Sequence, residues 1–223
     1  MVTTVYLIRH GETDWNRDGR WQGFADVPLN ERGRLQSALV AQRIFVDGIR
    51  FDALYCSDLT RAYQTAWEIG SAIRVPVQLL PPLREIDLGT WSGLTSAELR
   101  ARYPVEMALL DQGQDVPRGG GETLWALRRR VVEAVDAMVA QHPGETLGLV
   151  THGGPIRMLL SQANNYDADV MPQAHQIINT SITVMRCDDG TWLIESINDC
   201  AHLMRDPNEQ LISSPVDDAD QPL

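Results

Sequence analysis

The sequence predicts an α/β fold: a three-layer sandwich with a mostly parallel central sheet and helices on both faces. Three observations carry this expectation. Short β-rich runs alternate with segments of helical periodicity over most of the chain, the pattern of strand–helix–strand crossovers. Polar caps and Gly or Pro breaks fall at the boundaries between them. Two strands run straight into a His-Gly turn, Ile8-Arg9-His10-Gly11 and Val150-Thr151-His152-Gly153-Gly154. Ligands of such sheets collect beyond the carboxyl ends of the strands, so both histidines are expected to face one crevice.

Residues 2–8 are apolar and β-rich, and read as a short buried strand. Residues 12–29 hold Gly19, Gly23 and Pro28 among scattered polar residues and read as a loop. Asn30 is a plausible N-cap for a helix reaching about residue 45, with Leu35, Ala38 and Leu39 on one apolar face. Residues 51–56 form the second strand, after which Ser57 or Asp58 caps a helix running to about residue 73. A short strand over 75–79 precedes Pro81-Pro82, and residues 83–94 are irregular, with Gly89 and Gly93. Short helical pieces follow between Ser96 and Leu110. Gly119-Gly120-Gly121 breaks the chain, and a long helix runs from about Glu122 to Gln141, ended by His142-Pro143-Gly144. Residues 146–150 are a strand followed by a helix to about Ala163. Residues 177–186 and 191–197 pair around the turn Asp188-Asp189-Gly190. The tail, residues 206–223, is acidic, carries Pro207, Pro215 and Pro222, and is expected to be disordered. The organisation expected is one domain over 1–205 and this tail.

Composition narrows the chemistry. The 19 basic residues are all Arg, and the chain has no Lys. A Walker phosphate loop, a kinase nucleotide lysine and a Schiff-base amine cannot be built. Net charge is -11 over 223 residues and the sequence pI is about 4.8, which argues against nucleic acid as a partner. Five of the 30 acidic residues lie in the tail, so the body is only modestly acidic and can hold an anion where arginines cluster. Three widely spaced cysteines, Cys56, Cys187 and Cys200, show no C-x-x-C pair and read as reduced thiols. There is no leader pattern and no run of 18 apolar residues, so no membrane role is expected and the cytoplasm is the default location.

The motifs suggest phosphoryl transfer. His10 beside Arg9 is a poor place for imidazolium, because a neighbouring cation favours the neutral ring, and a neutral imidazole is a nucleophile. Read alone, His10 is equally well a buried core histidine. Arg61 falls in the first turn of its helix near the sheet edge, where its planar fork fits two phosphoryl oxygens; read alone, it is more readily a surface arginine. His152 sits at a strand-to-helix turn whose free N–H groups, Gly153 included, attract anions; in its charged form it would add a donor. The loop Arg84-Glu85-Ile86-Asp87 supplies carboxylates among apolar residues. There Glu85 is the candidate acid for a leaving oxygen and Asp87 the structural one. His10 and His152 as metal ligands fit badly beside Arg9, and no third ligand is well placed, so no metal is expected.

These residues, taken in order, resemble the histidine phosphatase superfamily, also called the phosphoglycerate mutase-like family. The similarity runs through Leu7-Ile8-Arg9-His10-Gly11-Glu12-Thr13 with Trp15-Asn16, then Arg20-Trp21-Gln22-Gly23. It continues through Ser57-Asp58-Leu59 with Arg61-Ala62, Arg84-Glu85, Gly120-Gly121-Glu122-Thr123 and Val150-Thr151-His152-Gly153-Gly154. Asn179-Thr180-Ser181 resembles a late strand of the family. The resemblance implies a phosphohistidine on His10. It implies a phosphate pocket of Arg9, Arg61 and His152 with Asn16, and Glu85 as general acid and later base. Gln22 and Gly23 would line the substrate entrance, and no cofactor is implied. Mutases of the family carry Glu-Arg followed by Tyr-Gly in the acid loop, a later insertion and a substrate-binding Lys. This chain has Glu85-Ile86-Asp87-Leu88-Gly89 and no Lys. A metal-independent phosphomonoesterase acting on a small phosphorylated metabolite is therefore expected, with phosphoglycerate mutase as the alternative. A neutral His10 with a protonated Glu85 predicts a bell-shaped pH dependence. The surroundings of Trp15, Trp21 and Gln22 are expected to meet the leaving group. Substrate identity and oligomeric state, including a homodimer, are left open.

Overall fold

Val5, Leu7 and Ile8 have no exposed surface, so β1 (Thr3–Arg9) is buried on both faces, as its apolar run implies. The computed structural model describes residues 1–164 and 176–204; the tail expected from residue 206 lies outside them. The other strands are β2 (Ala53–Cys56), β3 (Val77–Leu79), β4 (Thr146–Thr151), β5 (Ile182–Asp188) and β6 (Thr191–Asp199). Among the described residues these six form one sheet in the order β3-β2-β4-β1-β5-β6. Strands β1 to β4 run parallel. β5 is antiparallel to β1, and β5–β6 is a hairpin. Its turn residues, Asp189 (φ 49°) and Gly190 (φ 79°), both have positive φ, which suits a two-residue hairpin turn.

Seven α-helices lie among the described residues: α1 (Asp14–Arg17), α2 (Glu31–Val46), α3 (Thr60–Ile73), α4 (Ser96–Arg102), α5 (Pro104–Asp111), α6 (Leu124–Gln141) and α7 (Gly153–Ala163). Side chains alternate across a strand, so one sheet feeds two cores. Ile8, Leu54 and Val150 meet Val40, Ile44 and Ile69 from α2 and α3. Val5, Leu7 and Leu149 meet Leu127, Val131 and Ile156 from α6 and α7. This is the predicted three-layer sandwich.

Several expectations are corrected. The loop over 12–29 contains α1, closed by a reciprocal capping box between Thr13 and Asn16. Asn30 does cap α2, accepting from the Gly33 N–H at 2.8 Å. The face of α2 turned to the sheet, however, is Gly33, Gln36, Ser37, Val40, Ala41 and Ile44, while Leu35 and Ala38 are exposed. The reason is proximity: a Cβ on Gly33 would sit 2.0 Å from the Glu12 carbonyl oxygen, so small residues let α2 lie against the chain just after His10. Neither Ser57 nor Asp58 caps α3. The Asp26 carboxylate accepts from the Thr60 N–H at 2.7 Å and from its hydroxyl at 2.8 Å. The strand expected from residue 177 begins only at Ile182, because Thr180 takes a left-handed conformation (φ 58°) and donates its N–H to the Arg9 carbonyl at 3.0 Å. Residues 179–181 are therefore not strand.

Candidate active site

The register of the sheet brings the two His-Gly turns together. β1 and β4 are parallel neighbours in which Arg9 pairs with Thr151. His10 and His152 therefore follow at the same level, and the His10 N–H donates to the Thr151 carbonyl at 2.9 Å. Their rings meet edge to face with centroids 5.0 Å apart, and both are buried. Arg61, in the first turn of α3 as expected, donates from Nε to His10 Nε2 at 3.3 Å. Its other two nitrogens donate to the Ala25 carbonyl at 2.7 Å and the Gly23 carbonyl at 2.8 Å. Arg9 donates to the Ile177 carbonyl.

The hydrogen bonds assign the ring atoms. His10 Nδ1 lies 2.7 Å from the Gly11 carbonyl oxygen; a carbonyl only accepts, so Nδ1 carries the proton and Nε2 keeps its lone pair. Burial, then the Arg61 and Arg9 guanidinium groups, hold the His10 imidazole well below its ordinary value of 6.5. It is neutral at pH 7. His152 is also lowered well below 6.5, first by burial and then by Arg61, His10 and Arg9. The free site thus disfavours the charged form entertained for it: a third cation beside Arg9 and Arg61 is costly to form. Ser57 Oγ accepts from the Leu59 N–H at 3.3 Å and lies 2.9 Å from His152 Nε2. Either atom can donate in that contact, since a hydroxyl can accept twice; with Ser57 donating, the proton of His152 sits on Nδ1. That buried nitrogen has no hydrogen-bond partner among the described residues, and a bound oxyanion would supply one.

Glu85 reaches the same region from the irregular loop. One carboxyl oxygen accepts from its neighbour Ile86 at 2.9 Å. The other accepts from the Gly154 N–H, in the first turn of α7, at 3.1 Å. A Cβ on Gly154 would lie 2.1 Å from Glu85 Oε1, so this glycine leaves room for the acid. Asp87 is structural, as expected, accepting from the Gly89 N–H at 2.9 Å.

Of the remaining predicted residues, Gly23 and Gly153 adjoin this cluster. Asn16 and Gln22 are buried and joined through Thr13, whose hydroxyl lies 3.1 Å from Asn16 Oδ1 and 2.9 Å from Gln22 Oε1. Gly23 contributes its carbonyl to Arg61. Gly153 is buried as the first residue of α7. Trp21, in the loop expected to meet the leaving group, is 3% exposed, meets Trp91 edge-on at 6.0 Å and belongs to the core. Sequence reasoning missed Asn179, whose side-chain amide donates to the His10 carbonyl at 2.9 Å. It also gave Ser57 no role beyond a candidate cap and a place in a motif. Neither carries a local signal, since both act through contacts more than 90 residues away in sequence.

Two histidines, two arginines, helix N–H groups and one carboxyl form a site for phosphoryl transfer, in which oxygens must be neutralised, a nucleophile aligned and a leaving group protonated. Comparison with known proteins agrees. A family model described as the histidine phosphatase superfamily (branch 1) matches residues 5–200. The chain is 34% identical over 209 residues to the metal-independent phosphoserine phosphatase of Arabidopsis thaliana, covering 91% of this chain and 84% of that protein. It is 36% identical over 204 residues to phosphoglycerate mutase-like protein 4 of the same plant, covering 89% and 86%. A solved structure of a mutant phosphoserine phosphatase from Entamoeba histolytica in complex with phosphoserine matches with a TM-score of 0.79 and 30% identity, covering 90% and 99%. The fold is phosphoglycerate mutase-like and the activity is that of a phosphatase, a hydrolase. The chain belongs to the histidine phosphatase superfamily, branch 1.

Proposed function

We propose that the protein hydrolyses a small alkyl phosphomonoester of the phosphoserine type through a phosphohistidine on His10, without a metal. The observation that carries this reading is the state of the His10 ring. Its Nδ1–H is committed to the Gly11 carbonyl, and its Nε2 lone pair lies beside the Arg61 guanidinium. Nε2 attacks phosphorus while the bond to the ester oxygen breaks. That oxygen takes a proton from the Glu85 carboxyl and leaves as the alcohol. Glu85, now a carboxylate, then takes a proton from water; the hydroxide attacks phosphorus, the P–N bond breaks, and inorganic phosphate and neutral His10 are released.

Arg9 and Arg61 neutralise the phosphoryl oxygens, with Nδ1–H of His152 as a neutral donor beside them. Asn16 and the N–H of Gly153 complete the pocket, and Gln22 and Gly23 border its opening. The names of two relatives, phosphoserine phosphatases of Arabidopsis thaliana and Entamoeba histolytica, support the substrate class.

The test is to incubate purified protein with phosphoserine or 3-phosphoglycerate in the presence of a chelator. Release of serine and inorganic phosphate is expected, with no 2-phosphoglycerate formed. Accumulation of the 2-isomer would make the protein a mutase, and loss of turnover on chelation would contradict the metal-free mechanism.

A further inference from the structure

We propose that Arg130, anchored by Glu122, is a positioning residue that fixes the backbone carrying the general acid Glu85. The proposal rests on the reading of Glu85 as that acid. Between β3 and α4 the chain has no strand or α-helix, only short 3-10 turns at Pro81–Leu83 and Gly89–Trp91. Carbonyl groups in such a segment need partners from elsewhere. Arg130, on α6, provides them. One terminal nitrogen donates to the Pro82 carbonyl at 2.8 Å and the Arg84 carbonyl at 3.0 Å. The other donates to the carbonyl of Glu85 itself at 3.0 Å.

The remaining two N–H groups go to Glu122, from Nε at 2.9 Å and from the second terminal nitrogen at 2.7 Å. A guanidinium has five N–H donors, and all five are engaged. Glu122 reaches the far side of the acid: its Oε2 accepts from the Asp87 N–H at 2.9 Å, and its own N–H donates to the Asp87 carbonyl at 2.8 Å. The backbone is thus held at residues 82, 84, 85 and 87, on both sides of Glu85. A lysine could not substitute, since a point charge with three donors cannot span three carbonyls and a carboxylate.

Arg130 holds the acid's main chain, and placement is the effect argued for it; its charge also helps keep His152 neutral, an effect on the phosphate pocket that falls on every ester alike. A general acid works only within hydrogen-bond reach of the leaving oxygen. The reaction itself offers a way to detect a misplaced acid. An alkoxide must be protonated as it leaves, whereas 4-nitrophenolate leaves as a stable anion. Misplacing Glu85 therefore steepens the dependence of kcat/KM on leaving-group basicity. A damaged fold or a weakened phosphate pocket lowers all esters by the same factor.

The experiment compares kcat/KM of the wild type with Arg130→Met, Glu122→Gln and Glu85→Gln. The substrates are 4-nitrophenyl phosphate, phenyl phosphate and glycerol 2-phosphate. Arg130→Met is expected to lose about 100-fold on the glycerol ester and little on the nitrophenyl ester. Glu122→Gln should shift the same way by less, and it decides the question should Arg130→Met not fold. Glu85→Gln should show the largest shift. Equal loss on every ester in the Arg130 and Glu122 variants, with the selective loss retained in Glu85→Gln, overturns the positioning role alone. A Glu85→Gln variant that loses no more on the alkyl than on the nitrophenyl ester overturns the acid assignment, and the positioning role with it.

Discussion

The two sides of the site are built by opposite means. On one side, His10 and His152 hang from adjacent parallel strands, and the pairing of Arg9 with Thr151 sets their relative height. On the other, Glu85 sits on a segment without regular structure, placed by the Gly154 N–H at its carboxyl and by Arg130 at its backbone. The nucleophile thus inherits its geometry from the sheet, the part of the molecule costliest to deform. The acid takes its geometry from the Arg130 side chain on α6 and a backbone N–H of α7. Damage to the acid side should accordingly impair turnover with the fold intact, whereas the histidine side couples chemistry to stability.

The largest effect belongs to the strand-end side. His10→Ala should lower phosphate release from an aryl phosphate by more than about 10³-fold, because the other imidazole of the site, His152, has its Nε2 engaged with Ser57. Undiminished turnover would remove His10 from the mechanism. On the acid side, Gly154→Ala should cost about 10²-fold in kcat/KM with little change in melting temperature. The added Cβ would fall 2.1 Å from Glu85 Oε1, while Ala suits a helix better than Gly. Wild-type kinetics in that variant would mean that the position of Glu85 is not critical.

A pH experiment separates the two sides by stability. Burial and the two arginines keep His10 well below 6.5 in the folded chain, and His152 behaves alike. As pH falls below 6.5, the unfolded chain takes up protons that the folded one refuses, so folding stability declines in that direction and is fully present above it. Denaturant titrations at about pH 7.5 and 5.5 should show this slope, and His10→Asn should flatten it. A slope unchanged by that substitution would contradict a buried neutral His10. The smallest effect is at the rim: Asp26→Ala removes the cap on α3 and should cost about 1 kcal/mol, read by the same titration.

What the sequence revealed follows the same division. The parallel strands, the Asn30 cap and the hairpin turn at Asp189-Gly190 depend on local patterns, and they were legible. So was the convergence of His10 and His152 at neighbouring strand ends, whereas Arg61 entered through the family resemblance. Long-range contacts decided the remainder. Thr180 breaks its strand to serve the Arg9 carbonyl, and Asp26 caps a helix 34 residues away. The sheet-facing side of α2 begins with Gly33, Gln36 and Ser37, small or polar, because the turn after His10 runs against it. Arg130 stands in a run of three arginines, Arg128-Arg129-Arg130, and only the folded chain distinguishes it from its neighbours.

The central claim is that His10 accepts the phosphoryl group. Rapid-quench labelling with a 32P phosphomonoester, followed by peptide mapping, tests it directly. Acid-labile, base-stable label on the peptide bearing His10, formed and lost at rates consistent with turnover, is the expected result. Turnover of the same ester with no label at His10 would contradict the account.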